Sequence, residues 1–355
     1  MPDDASGPRR YTRAAIETWM ASVFRATGMP DEDAKLVARL MSEADLFGGD
    51  GHGIIRIPNY VKRLQGGGYN PRPHIRIARE RGGMAIVDGD DGMGHLVMHF
   101  ATQEAIRRAK EHGIAWVGSR NSNHAGAAHV YARMPMAHDM IGLYAAVGSA
   151  NHFPPWGGTE LLLSTNPIAI ALPTDKEPPV VLDMATTVSS MGKIKQAEIR
   201  GEKLPEGWVI DRDGNPITDP KEAHHGFLLP IGGPKGYGLC FALGALAGTL
   251  NGAAFGRNVV DFNADATSKT NTGQFICALS IDAFMDVMEY RHEMDDLVRQ
   301  MKSSPKLNGV EEIRLPGERS WHTHIERQKI GIPVPLALQR QLDDVADRLG
   351  VGRLG

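Results

Sequence analysis

The segment DLFGGDGHGIIR, from Asp45 to Arg56, places His52 four residues before Arg56 in a stretch dense in glycine. Such a stretch could be a phosphate-cradling loop, a metal loop or a turn that aims one imidazole. An imidazole exchanges protons near neutral pH, and a guanidinium grips a carboxylate through paired N–H groups, which a lysine cannot do. Glycine at this density costs backbone entropy, so it is expected where the chain bends sharply. The competing reading of Arg56 is a surface ion pair.

Other polar, glycine-rich spots interrupt the apolar segments: NSNHAG, PPWGG, STNP, LDMAT, GGPKGYG and RLPGER. Loops of this kind carry sites when a scaffold holds them. Familiar fingerprints are absent. GDDGMGHL and GGPKGYG approach G-x-G-x-x-G but lack its spacing and its acidic partner. No G-x-x-x-x-G-K-[ST], H-E-x-x-H or G-x-S-x-G occurs. His124, His129, His138, His224 and His225 have no cysteine or carboxylate at metal-ligand spacing, so no metal site is read.

The elements that must position these residues form a helical–mixed–helical series. TRAAIETWMASVFRATGM, DEDAKLVARLMSEADLFGG and IPNYVKRLQGGG carry helical periodicity and end in glycine. IRIARERGGMAIVDGDDGMG reads as short strands, HLVMHFATQEAIRRAKEHG as a helix and IAWVGSRN as a strand. HAGAAHVYARMPMAHD is helical. IGLYAAVG, IAIALP and PVVLDMA are apolar strands. The span from Lys221 to Pro234 reads as loop. The alanine-rich YGLCFALGALAGTLNGAAF that follows reads as a buried core helix. FICALSIDAFM is a strand leading into a helix, and EYRHEMDDLVRQMKSS and VPLALQRQLDDVADRLG in the tail are helical. The ends are expected to pack together around an inserted mixed sheet. Residues 1–75 with 300–355 would form the helical part, and residues 76–299 the sheet part.

Bulk composition excludes several classes. With 355 residues and a net charge of -3, the chain shows no basic footprint for nucleic acid. No stretch reads as a membrane span, and MPDDASGPRRYTRAAIE lacks the apolar run of a secretory leader. The only cysteines are Cys240 and Cys277, which fits a reducing, cytoplasmic setting rather than a disulfide framework.

Taken in order, ADLFGGDGHGIIR, SNHAG, PPWGG with STNP, VVLDMAT with GK, LPEGWVIDRDGNPITDP, KGYGL and RLPGER resemble the malate/L-lactate dehydrogenase family that is distinct from Rossmann-type enzymes. That family also holds sulfolactate, ureidoglycolate, diketogulonate and cyclic-imine reductases. The resemblance implies a mixed α and β fold. A helical domain would be built from both chain ends, beside a non-Rossmann NAD(P)-binding domain with a largely antiparallel sheet. It implies a homodimer, NAD or NADP as cofactor and a small carboxylate substrate. The expected reaction moves hydride between nicotinamide and C2 of a 2-hydroxy or 2-oxo acid. The alternatives are C=N reduction and a cofactor-binding relative without catalysis.

Site residues carry over from the same resemblance. His52 is the expected proton donor or acceptor, acting as an imidazolium in the reductive direction, and Arg56 binds the substrate carboxylate. His124 is the second acid/base or orients substrate; its competing role is a buried histidine at a helix start. Asp183 supports a catalytic histidine or touches ribose, against a competing role as a helix cap. Ser149, the strand end Val180, Val181, Leu182, Asp183, Met184 and Ala185, the pair Pro234 and Lys235, and the turn Gly317, Glu318 and Arg319 are the expected cofactor contacts. Lys235 beside a helix N-terminus suits pyrophosphate, and Arg319 suits a 2′-phosphate. Two positions depart from the family. Gly51 stands where relatives carry serine before the histidine, with Asp50 a potential substitute. Ser164 opens STNP where glycine is usual, with little functional effect expected.

Overall fold

The computed structural model describes residues 7–355, and at residues 199 and 200 the backbone alone. The first six residues of the polar N-terminal stretch lie outside the described residues. A short strand β1 (Arg9–Tyr11) leads into α1 (Arg13–Ala26), α2 (Asp31–Leu46) and α3 (Ile57–Gln65). The sheet region follows in the order β2 (Arg76–Arg81), β3 (Met84–Asp88), α4 (Gly94–His112), β4 (Ile114–Arg120), α5 (Ala128–Arg133), β5 (Met140–Ala146), β6 (Ile168–Leu172) and β7 (Val180–Met184). Next come α6 (Met191–Arg200), the short pair β8 (Val209–Ile210) and β9 (Phe227–Leu228), α7 (Pro234–Ala247) and β10 (Gln274–Ser280). The chain closes with α8 (Val287–Ser303), α9 (Glu318–Ile330), β11 (Ile332–Val334) and α10 (Leu336–Leu349).

Seven strands form one sheet in the order β2-β3-β4-β10-β5-β6-β7. β3 and β4 pair in parallel, and the other neighbours run antiparallel. This is the mixed, largely antiparallel sheet that the family resemblance implied. Strand side chains alternate faces. Ile276 and Ala278 of β10 therefore join the cluster under α4 and α5, whereas Phe275 joins Ala145, Val147 and Leu243 under α7.

The two chain ends share one core. Ile16, Met20, Phe24, Val37 and Met41 pack with Leu342, Val345 and Ala346 of α10. β1 pairs antiparallel with β11 and closes the ends backbone to backbone. α8 runs across residue 300, and its Asp295 accepts the N–H groups of Asp175, Lys176 and Glu177 in a loop beside the sheet. A seam drawn at residue 300 therefore passes through a helix.

Two expectations are corrected. α7 is not fully buried: Phe241 is 53% exposed, Leu239 and Leu246 are also exposed, and Leu250 in the 3₁₀ turn after it is 62% exposed. Cys240, Leu243, Gly244 and Ala247 make its inner stripe. The loop from Lys221 to Pro234 contains a 3₁₀ turn at Ala223–His225 and the strand β9. No helix among the described residues is long and apolar enough to cross a membrane.

Candidate active site

The glycine-rich segment is the bend after α2. Asp45, buried in the last turn of α2, turns its carboxyl back onto that bend, and Oδ2 accepts the Ile54 N–H at 2.9 Å. A Cβ on Gly53 would lie 1.8 Å from Asp45 Oδ1, so this close approach admits only glycine. Burial pushes the Asp45 carboxyl up to about 8. His52 closes its own turn through an N–H donated to the Gly49 carbonyl at 2.8 Å.

From there the 3₁₀ turn Ile54–Arg56 runs straight into α3. Arg56, Asn59, Tyr60 and Arg63 fall at spacings of three, four and seven, on one helical face. That face meets the segment from Phe262 to Ser268. Arg56 donates from Nε to the Gly51 carbonyl at 2.6 Å and from a terminal nitrogen to Asn263 Oδ1 at 3.4 Å. Asn59 donates to the same oxygen. Arg63 is fully buried and donates to the carbonyls of Asp265 and Ser268. Arg56 thus makes no ion pair among the described residues, and its remaining donors are available to a carboxylate.

His124 reaches the same place from the loop before α5. Its ring lies 5.7 Å from that of His52, nearly parallel at 10°. Phe262 stacks against His124 at 5.0 Å, and the Phe262 N–H donates to the Ser149 carbonyl just beyond β5. Tyr60 Oη lies 2.7 Å from His124 Nδ1, toward which the Gly126 N–H also points at 3.4 Å. The Gly126 N–H favours the tautomer with the proton on Nε2, in which Nδ1 also accepts from the Tyr60 hydroxyl. His124 is therefore a donor into the recess. Tyr60 was not among the expected residues. Its position four residues after Arg56 on a helix was the available signal.

Both imidazoles keep some open surface while lying deep among protein atoms, as the floor of a recess does. Burial, with the Arg56 charge second, holds His52 down to about 4. The same causes hold His124 well below the usual imidazole range. Both rings are neutral at pH 7 in the free protein, so an imidazolium forms there only when something bound favours it. Behind them, His95 is buried with neither ring nitrogen partnered, and burial takes it down to about 3.

Asp183 lies elsewhere. Its Oδ2 accepts the His129 N–H at 3.1 Å and so caps the start of α5 from β7. It bonds neither His52 nor His124. Asp50 forms an ion pair with Arg327 of α9, so it does not stand in for the serine that Gly51 replaces. A Cβ on Gly51 would meet nothing within 4 Å. Ser164 sits without positive φ, and the neighbouring Gly148 leaves room for its hydroxyl.

Of the expected cofactor positions, the turn at Gly317 packs against β7. The Val181 N–H donates to the Pro316 carbonyl at 3.0 Å, and Gly317 packs so closely that a Cβ would lie 2.7 Å from the Val181 carbonyl. Beyond β7, the Thr186 N–H donates to the Thr165 carbonyl and the Ile231 N–H to the Thr186 carbonyl, three residues before Pro234 and Lys235, which are exposed at the start of α7. Arg319 is exposed. The Glu318 carboxylate is taken by Lys302 and the Leu315 N–H. A cavity of about 130 Å³ lies between the glycine bend and β7, lined by Phe47, His129, Arg133, Val181, Asp183 and Gly317. His129 Nε2 in its wall has no partner. A polar, anionic cofactor fits these residues, because the close approach of Gly317 to Val181 and the Arg133 side chain border one cavity on β7.

A family model described as malate/L-lactate dehydrogenase matches residues 11–343. The chain belongs to the malate/L-lactate dehydrogenase family. It is 37% identical over 350 residues to the malate dehydrogenase of Pyrococcus horikoshii, covering 96% of each chain. It is 39% identical over 329 residues to the L-sulfolactate dehydrogenase of Methanocaldococcus jannaschii, covering 93% of this chain and 94% of that one. The solved structure of the Methanocaldococcus sulfolactate dehydrogenase superposes with a TM-score of 0.90 at 37% identity, over 97% and 98% of the two chains. Membership of this dehydrogenase family accounts for the missing dinucleotide fingerprint, since the sheet here is not a doubly wound parallel one.

Proposed function

We propose that the protein is an NAD(P)-dependent dehydrogenase that oxidises the C2 hydroxyl of a small 2-hydroxy acid, or reduces the matching 2-oxo acid, of the malate, lactate or sulfolactate type. The observation that carries this reading is the pair of parallel imidazoles at 5.7 Å beside the open donors of Arg56. A bound nicotinamide supplies the hydride acceptor in oxidation and the donor in reduction.

The chain's own residues handle charge and protons. Arg56 holds the carboxylate. His124, with Nδ1 occupied by Tyr60, donates from Nε2 to the C2 oxygen and polarises it. His52 takes the hydroxyl proton in oxidation and returns it to the oxyanion in reduction. A neutral His52 suits the oxidative step. Substrate binding also raises its affinity for a proton: the carboxylate offsets the Arg56 charge and brings a negative charge into the recess. His52→Ala is expected to lower kcat by roughly 100-fold or more, the range of general acid–base catalysis, while NADH still binds. Near-normal turnover of malate, lactate and sulfolactate in this variant would refute the assignment.

Val181, Asp183, Gly317, Pro234 and Lys235 form the cofactor path in this reading, with Ser149 beside the nicotinamide end and Arg319 toward a 2′-phosphate. The outward row of Leu239, Phe241, Leu246 and Leu250 supports a homodimer through α7, since an isolated chain would leave that row in water. Phe241→Asp is expected to yield monomers in sedimentation velocity; a wild type that sediments as a monomer would end the dimer reading. Two free cysteines support a cytoplasmic setting, which recovery from an oxidising compartment on fractionation would overturn.

A further inference from the structure

The glycine bend that carries His52 is backed by α9. Thr323, His324 and Arg327, three and four residues apart on one face of that helix, meet successive parts of the bend. The His324 ring stacks on Phe47 at 4.2 Å and 16°, and the Arg133 guanidinium also lies over Phe47, at 4.1 Å. Thr323 packs against Gly48, where an added Cβ would lie 3.2 Å from the threonine methyl. Arg327 makes the polar contacts. One terminal nitrogen donates to the Asp45 carbonyl in the last turn of α2 and to Asp50 Oδ1, and the other donates to Asp50 Oδ2 at 3.1 Å. The Arg327 side chain is 11% exposed, so this fork works largely out of water, where paired charged hydrogen bonds are strong.

His52 is thereby held from both sides. Asp50, two residues before it, is gripped by Arg327, and the Ile54 N–H, two residues after it, is gripped by Asp45. The His52 N–H on the Gly49 carbonyl and Arg56 Nε on the Gly51 carbonyl are ties within the turn. They set its shape. The fork from α9 sets where the turn sits relative to His124, which arrives from another part of the chain. Gly48, Gly49, Gly51 and Gly53 give this backbone more freedom than most. A displacement of about 1 Å can cost a catalytic group roughly 100-fold in rate, so an outside tie has work to do here.

We propose that Arg327 and Asp50 are positioning residues, one bidentate pair that holds the glycine bend so that the His52 imidazole keeps its place beside His124. Both act through His52 rather than on the substrate. The proposal rests on the dehydrogenase reading and adds to it a contact 277 residues apart in sequence. Arg56 is anchored separately, by α3 and by Asn263, so loss of the pair displaces the proton-transfer group more than the carboxylate site.

The test uses the full-length protein, NADH, and the 2-oxo acids that correspond to malate, lactate and sulfolactate. Arg327→Met and Asp50→Ala are each expected to slow NADH oxidation in a single turnover at saturating acid by about tenfold. The half-saturating acid concentration should change less than threefold. NADH fluorescence should report binding within twofold of wild type, which also shows that each variant is folded. Arg327→Lys should recover part of the rate, because a point charge replaces the fork. In the double variant the two losses should not multiply, since either substitution breaks the same pair. Single-turnover rates within twofold of wild type in both Arg327→Met and Asp50→Ala, or losses that multiply in the double variant, would overturn the proposal and leave the dehydrogenase reading intact. A wild type that reduces none of the three acids would overturn both.

Discussion

Arg63 and Arg133 are both guanidiniums laid on aromatic rings, and neither has a carboxylate partner among the described residues. Arg63 lies 5.0 Å from Tyr69 and 5.4 Å from Phe262, is fully buried, and places two nitrogens on backbone carbonyls. Arg133 lies closer to its ring but has no acceptor among the described residues, and it borders two cavities. The difference separates two uses of one side chain. Arg63 ties the segment from Phe262 to Ser268 onto α3, which seats Phe262 against His124 and Asn263 against Arg56. The donors of Arg133 are left over by the fold, as expected of a group kept for something that binds.

Substitution should part the two arginines clearly. Arg63→Met removes two charge-assisted hydrogen bonds from a closed site, at roughly 1.5 kcal/mol each, so about 3 kcal/mol should be lost in chemical denaturation. Arg133→Met keeps the stem against Phe47 and should cost less than about 1 kcal/mol. Equal losses would break the contrast. The smallest effect is expected at Gly51→Ser. The Cβ enters open space and the position is exposed, so stability should change by less than about 0.5 kcal/mol. The hydroxyl would then show itself only in the relative KM values of the 2-oxo acids. A large loss of stability would mean that the bend needs glycine at this position as well as at Gly53.

The sequence exposed the recess better than it exposed the path along β7. His52, Arg56 and His124 stand in glycine-marked segments, and helical spacing accounts for the face that carries Arg56. Tyr60 escaped notice because a tyrosine in an apolar stripe looks like core, and only the fold puts His124 across from it. Asp183 was legible as a polar residue ending a strand, but its partner, the His129 N–H, lies 54 residues away in sequence. Arg133 and His129 needed the same long-range closure. The sheet strands were readable from apolar runs of ordinary strand length. α9 was not, because ERSWHTHIERQKI is polar on nearly every side and no apolar stripe marks it. α7 misled in the opposite way: apolar residues on all sides suggested full burial, yet Leu239, Phe241 and Leu246 are left exposed.

The central claim is that the recess keeps two neutral imidazoles until a carboxylate arrives at Arg56. The sign follows from the causes. Burial and a neighbouring cation both disfavour the protonated ring, so His52 stays neutral down to about pH 4 in the free protein, and a carboxylate bound at Arg56 raises that value. Nitrogen NMR of labelled histidine rings, titrated with and without a non-reacting 2-oxo acid analogue, reads this directly. The expected result is a His124 ring protonated on Nε2 alone throughout the neutral range, and a His52 ring that protonates near pH 4 alone and at higher pH with the analogue. A His52 that titrates near 6.5 in the free protein, or a value that the analogue leaves unmoved, would contradict the account.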